Sequence, residues 1–226
     1  MGQTWRHLLF AHWQVEPDVL VRTIPPQLRL DLHDGRAWIG VTPFRVEGLR
    51  LRWTLPPPLL SRFLEVNVRT YVEYGGKPGI YFLSLDAASR LAVAVARRTY
   101  RLPYFRARMS LGESDLGFGM RSTRGSGGGS PAELECRYAP EGERFAAQPG
   151  SLEHWLTERY CLYTVAEGGT VQRGEIHHPQ WPLQPAIAEI SLNTMASGYG
   201  LELEGAPLLH YSERQDVVLW TIEPAF

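Results

Sequence analysis

The residues best able to do chemistry lie on one short segment, Phe63–Tyr74, which reads FLEVNVRTYVEY. On a strand, alternate side chains face opposite sides. One face then carries Glu65, Asn67, Arg69 and Tyr71, and the other Leu64, Val66, Val68, Thr70 and Val72. A carboxylate, an amide, a guanidinium and a phenol in one row can hold a small anion and move a proton. The plain alternative is an apolar core face backed by a solvated polar face. A second alternative is a structural ion pair of Glu65 with Arg69 that fixes strand register. The hairpin partner Ile80–Ala87 is apolar on both faces, as a central hairpin would be, and in a central strand the polar row points inward; the pattern alone leaves this reading and the solvated face about equally open.

Two other segments mix reactive types. Arg97–Arg108, RRTYRLPYFRAR, interleaves arginines with Tyr100, Tyr104 and Phe105. Such a mix can stack single-stranded nucleic acid. A net charge of -1 and a pI near 6.7 argue against that, and a bend around Pro103 with snorkelling arginines explains it as well. Glu175–Leu183, EIHHPQWPL, holds His177 and His178, which on extended chain point opposite ways and do not share a metal. The reading is a structural pair with tautomers fixed by carbonyls. No metal or cofactor motif is present: there is no HExxH, GxSxG, Walker loop or GxGxxG. Of 23 basic residues, 22 are arginine, and Lys77 is the single lysine. Any amine chemistry has one candidate, and it sits in a GGKPG turn.

The elements that must position these groups are mostly strands. Leu30–Leu32 and Ala37–Phe44 read as a hairpin turned at HDG, and Phe63–Tyr74 with Ile80–Ala87 as a second. Leu91–Ala96, Phe105–Leu111, Glu133–Tyr138, Thr170–His177 and Val217–Glu223 are further strand candidates. Helices are expected at Glu16–Leu20 and at Ser151–Tyr163, where Ser151 caps a short helix that runs into a strand. RSTRGSGGGSP, at 121–131, reads as a flexible hairpin loop inside one domain spanning 1–226. Trp181, between Pro179 and Pro182, is either core or interface, and a homo-oligomer is possible. Cys136 and Cys161 form no disulfide framework, and no apolar run reaches membrane-spanning length, which fits a cytoplasmic protein.

The strings WRHLLFAHW, DGRAWIGVTPF, FLEVNVRTYV, GIYFLSLDA, ARRTYRLPY and RGEIHHPQWPL resemble the YqjF-like, or DUF2071, family. That family is similar in turn to acetoacetate decarboxylase. The resemblance implies a mainly β α+β fold, a barrel or cone with a few peripheral helices and a buried polar cavity. It places Glu65 and Arg6 at the decarboxylase's cavity glutamate and arginine. Where the decarboxylase keeps two adjacent lysines, this chain has Tyr104 and Phe105, so the Schiff-base nucleophile is missing. The expected protein is a carboxylate-binding barrel using Arg6, Asn67, Arg69, Tyr71, Arg97 and Tyr100. The alternative is a lyase, dehydratase or hydrolase with Glu65 as base and Tyr104 as acid.

Overall fold

The computed structural model describes residues 1–50, 61–126 and 129–226, without the side chains of Val95, Thr99 and Tyr100. The elements, in chain order, are β1 (Gly2–Val15), α1 (Pro17–Leu20), β2 (Arg29–Leu30), β3 (Ala37–Arg50), β4 (Arg62–Tyr74) and β5 (Lys77–Ala87). Then come α2 (Arg90–Tyr100), β6 (Tyr104–Arg106), β7 (Arg108–Ser114), β8 (Gly117–Arg124), β9 (Ala132–Pro140) and α3 (Leu152–Thr157). The chain ends with β10 (Cys161–Val165), β11 (Val171–His177), β12 (Gln184–Asn193) and β13 (Leu208–Pro224). The fold is mainly β, as expected.

Seven strands pair in the order β1-β3-β4-β5-β10-β11-β13, and β13 pairs again with β1, closing a ring. The inside of the ring can be read from packing. Trp38, Tyr71, Ile80, Phe82, Leu162, Ile176 and Val217 come from six different strands and share one cluster, with Leu156 of α3 among them. The outside of β1, β3 and β4 packs instead on a second sheet, β12-β9-β8-β7, through Leu9, Val41, Val66, Val68, Met120 and Cys136. Both faces of β4 are therefore covered, which excludes a solvated polar face.

The central hairpin forms as expected, with Gly75 and Gly76 at positive φ in its turn. Glycine also fits where β10 joins β5: a Cβ on Gly79 would lie 2.7 Å from Cys161 Sγ. Ser151 caps α3 by accepting from the His154 amide, and the chain then enters β10.

Several expectations are corrected. Leu91–Ala96 is helical, inside α2, because Ser89 accepts from the Ala92 amide and LAVAVA satisfies a helix as readily as a strand. The HDG turn closes only a His33–Arg36 bridge. β3 stops pairing with β4 at Thr70, and β2 takes the vacant edge at Val72 and Glu73. The Phe105–Leu111 strand is two: β6 runs parallel to β5, and β7 begins the second sheet after Ala107. The β8–β9 hairpin exists, but β8 takes in Arg121–Arg124, and residues 127–128 of the glycine run lie outside the described residues. Trp181 is core, 2% exposed. β1, β8 and β12 had no counterpart in the strand assignments made from the sequence.

Candidate functional site

β4 delivers its polar row to the inside of the ring. Glu65, Asn67, Arg69 and Tyr71 are 4%, 5%, 6% and 0% exposed. Their cross-strand partners on β3 are Phe44, Thr42, Gly40 and, by continuation of the register, Trp38. A residue larger than glycine does not fit at 40: its Cβ would meet the His12 ring at 2.9 Å and Arg69 Cγ at 3.5 Å.

The row has two poles. At one, the Tyr104 hydroxyl donates to Glu65 Oε2 at 3.4 Å, and Asn67 also hydrogen-bonds the carboxyl. Tyr104 reaches this place because β6 pairs with β5 in register Leu85 to Tyr104, on the inward side. Burial pushes Glu65 up to about 8, against the weaker pull of those two hydrogen bonds, and the nearby Asp86 carboxylate pushes the same way. Arg69 is not among the groups acting on Glu65, so the structural ion pair weighed from the sequence is not formed. Glu65 holds a proton at neutral pH.

At the other pole, Arg69 Nη2 donates to the Leu156 carbonyl at 3.2 Å, and its guanidinium lies 5.3 Å from the Phe10 ring centre and 5.8 Å from that of Tyr71. Tyr71 Oη and His12 Nε2 are 2.7 Å apart. Burial, with Arg69 and His210 nearby, holds His12 well below its ordinary value, so its imidazole is neutral. Buried polar groups are nearly always paired. Here Arg69 Nε, His12 Nδ1, Thr42 Oγ1 and Asn67 Oδ1 have no hydrogen-bond partner among the described residues. Such atoms line up along the row and are fit to receive a polar ligand or bridging water.

The other expected site residues fall elsewhere. Arg6 is 31% exposed at its side chain and pairs with Glu47 at 3.1 Å, apart from the row. Arg97 is exposed on α2, donates to the Tyr104 carbonyl at 2.5 Å and lies 5.6 Å from the Phe105 ring centre. Tyr100 ends α2, and its side chain is outside the described residues. Lys77 pairs with Glu175 at 2.8 Å, with both side chains 41% exposed. His178 is buried, with Nδ1 2.8 Å from the Pro179 carbonyl, while His177 is exposed. No cluster of three His, Cys, Asp or Glu able to hold a metal ion occurs among the described residues. No helix among them is long and apolar enough to cross a membrane.

Two groups escaped the sequence reading. His12 gave no local signal, since its partner Tyr71 comes from another strand. The second is an ion pair on the outer side of β5, Asp86 with Arg124, in contact at 3.0 Å and 0% and 3% exposed at their side chains. It ties the ring to the second sheet.

A ring of this topology with a polar row inside is an acetoacetate decarboxylase-like fold. The chain superimposes on the enduracididine biosynthesis enzyme MppR complexed with pyruvate with a TM-score of 0.67, 11% identity and coverage of 99% of this chain and 89% of that one. It does so on acetoacetate decarboxylase from Legionella pneumophila with a TM-score of 0.63, 13% identity and coverage of 100% and 87%. At these identities the likeness is one of fold. The chain belongs to the DUF2071 family of uncharacterised conserved proteins, whose profile matches residues 2–216. The YqjF protein of Bacillus subtilis is 44% identical over 223 residues, 98% of this chain and 91% of that protein.

Proposed function

We propose that this protein binds a small organic carboxylate inside the ring. The observation that carries the reading is Arg69, a 6% exposed cation that, among the described residues, has an unpartnered Nε and no ion-pair carboxylate. A buried charge without a counter-ion is costly, and an anionic ligand relieves that cost. With Glu65 and His12 neutral, the row carries net positive charge near pH 7. A related fold holds pyruvate in MppR, which agrees in ligand type. Arg69→Met keeps the apolar stem and removes the charge. Wild type is expected to melt several degrees higher with 10 mM of a bound carboxylate and the variant to show no rise, about the shift that ~1–2 kcal/mol of binding produces. A panel of organic acids without effect on wild type overturns the proposal.

A second reading, an enzyme acting without an imine, is favoured by the protonated Glu65 in contact with Tyr104. A carboxyl poised near 8 beside a phenol can pass a proton to or from a bound acid. Lys77, half-exposed and paired with Glu175, is poorly placed for a Schiff base. This reading expects turnover to drop about 10²–10⁴-fold in Glu65→Gln and in Tyr104→Phe. Turnover that survives both substitutions removes these residues from the chemistry.

A further inference from the structure

The arginine–aromatic segment has one member that the ring does not use. Arg101 caps the end of α2 with φ 51 and ψ 28, the left-handed conformation. Glycine is the usual residue at such a helix end, because it has no Cβ to crowd the backbone. An arginine held there is strained, and strain of this kind clusters at functional sites. Its side chain is exposed and makes no hydrogen bond or ion pair among the described residues.

Arg101 stands at a cleft that the sheet itself creates. β10 pairs with β5 only at Ile80 and Tyr81, and β6 joins β5 only from Leu85. Neither strand faces Phe82–Ser84, so β10 and the Arg101–Pro103 link part around a gap. The gap holds a cavity of about 260 Å³. Phe82 and Leu102 line it and also belong to the inner cluster of the ring, so they stand between the cleft and the interior. Pro25, Tyr81, Pro103 and Val165 are half-buried and form its accessible walls. Arg101 is the one charged residue in the lining.

This lining selects a ligand chemistry. Flat phenol and proline surfaces accept a stacked planar ring. An apolar cavity of ~150 Å³ holds a benzene ring, so this one has room for a ring and a short acid arm. Arg97 and Arg98, in the last turn of α2, offset the negative end of the helix dipole and leave the mouth positive. We propose that the cleft is a second binding site, outside the ring, for a planar aromatic carboxylate whose ring lies against Tyr81 and Pro103 and whose carboxylate meets Arg101. It does not rest on the carboxylate reading of the ring.

The test is calorimetry on the full chain with benzoate, indole-3-acetate, acetate and neutral benzamide. One of the two aromatic acids is expected to bind about fivefold or more tightly than acetate and benzamide, the size of one exposed ion pair. Arg101→Gly is expected to lose that gain. It should still melt within about 3 °C of the wild type, since relief of strain offsets the extra freedom of glycine in the unfolded chain. Arg101→Asn, which also tolerates the left-handed conformation, is expected to show the same loss. Arg69→Met is expected to keep the aromatic site. Aromatic acids that bind both Arg101 variants as tightly as the wild type overturn the proposal, as does benzamide binding as well as benzoate, or no binding of either acid. Loss in Arg69→Met with both Arg101 variants unaffected would place the acid in the ring, overturning the cleft while supporting the site proposed there.

Discussion

Asp86→Ala is expected to be the most damaging single substitution of a polar side chain, lowering unfolding stability by about 3–5 kcal/mol at pH 7.5. It strands Arg124, whose side chain is 3% exposed and whose charge cannot be shed. The reverse change, Arg124→Met, is expected to cost less. Asp86 already sits near 6, raised by burial against the pull of Arg124, and without the arginine it takes up a proton and becomes neutral. The pair thus breaks asymmetrically. The Nη1–Oδ1 contact is close but lacks hydrogen-bond geometry, and Asp86 Oδ2 and Arg124 Nε are unpartnered, so little directional bonding offsets the two desolvated charges. The double variant, Asp86→Ala with Arg124→Met, is expected to recover much of the loss. Urea titration of the three variants checks this. Equal losses under 1 kcal/mol in both single variants would show the pair to be solvated and the reasoning wrong.

The same pair bears on the candidate site. β6 lies parallel to β5, with Tyr104 opposite Leu85 and Phe105 opposite Asp86. Neighbouring residues on a strand face opposite ways. Tyr104 therefore enters the ring, while Phe105 stays outside with Arg124 4.5 Å over its ring centre. The ion pair, through Phe105, holds the short strand that brings the Tyr104 hydroxyl to Glu65. The two neighbours thus do different work: Tyr104 faces the polar row and Phe105 anchors the strand that carries it.

How much of this could be read in the sequence differs by element. The β4–β5 hairpin was legible because alternation runs for a dozen residues and a glycine turn marks its end. The polar face stood out by its chemistry, and its burial confirms that reading of the pattern. α2 was illegible because alternating small and β-branched residues fit both periods until a cap decides, and Ser89 is that cap. β1 was missed because the middle of the strand is buried on both faces, His12 among its apolar neighbours, so it shows no alternation. Arg124 lay in a stretch whose glycines and serines suggested flexibility. Its partner Asp86 is on a different sheet, and no local spacing announces such a pair. Arg6 was placed in the cavity by resemblance. A strand irregularity after it, where His7 takes φ 53 and the β1–β3 register shifts, accompanies its pairing with Glu47 instead.

Glu65→Gln is expected to make the protein progressively more stable than the wild type as pH rises. The folded protein keeps the Glu65 proton up to about 8, whereas an unfolded chain loses it near the ordinary value of 4.5. A group whose folded value is raised contributes most below the unfolded value, and that contribution is lost as pH rises between the two. From pH 4.5 to 8 the wild type is thus expected to lose roughly 4–5 kcal/mol relative to the glutamine variant, at about 1.4 kcal/mol per pH unit. Near pH 5 the neutral acid and the amide are close in size and bonding, and the two proteins should be of similar stability. At pH 9 the variant should be the more stable by several kcal/mol, since it need not bury a carboxylate with no cation in reach. Asp86 titrates in the same direction and the buried histidines in theirs, in both proteins, so only the part of the Asp86 titration that Glu65 itself influences remains in the difference. Urea midpoints at pH 5, 7 and 9 read the effect. Parallel profiles would mean that Glu65 ionises normally, and would remove the proton-holding pole on which the acid–base reading of the ring depends.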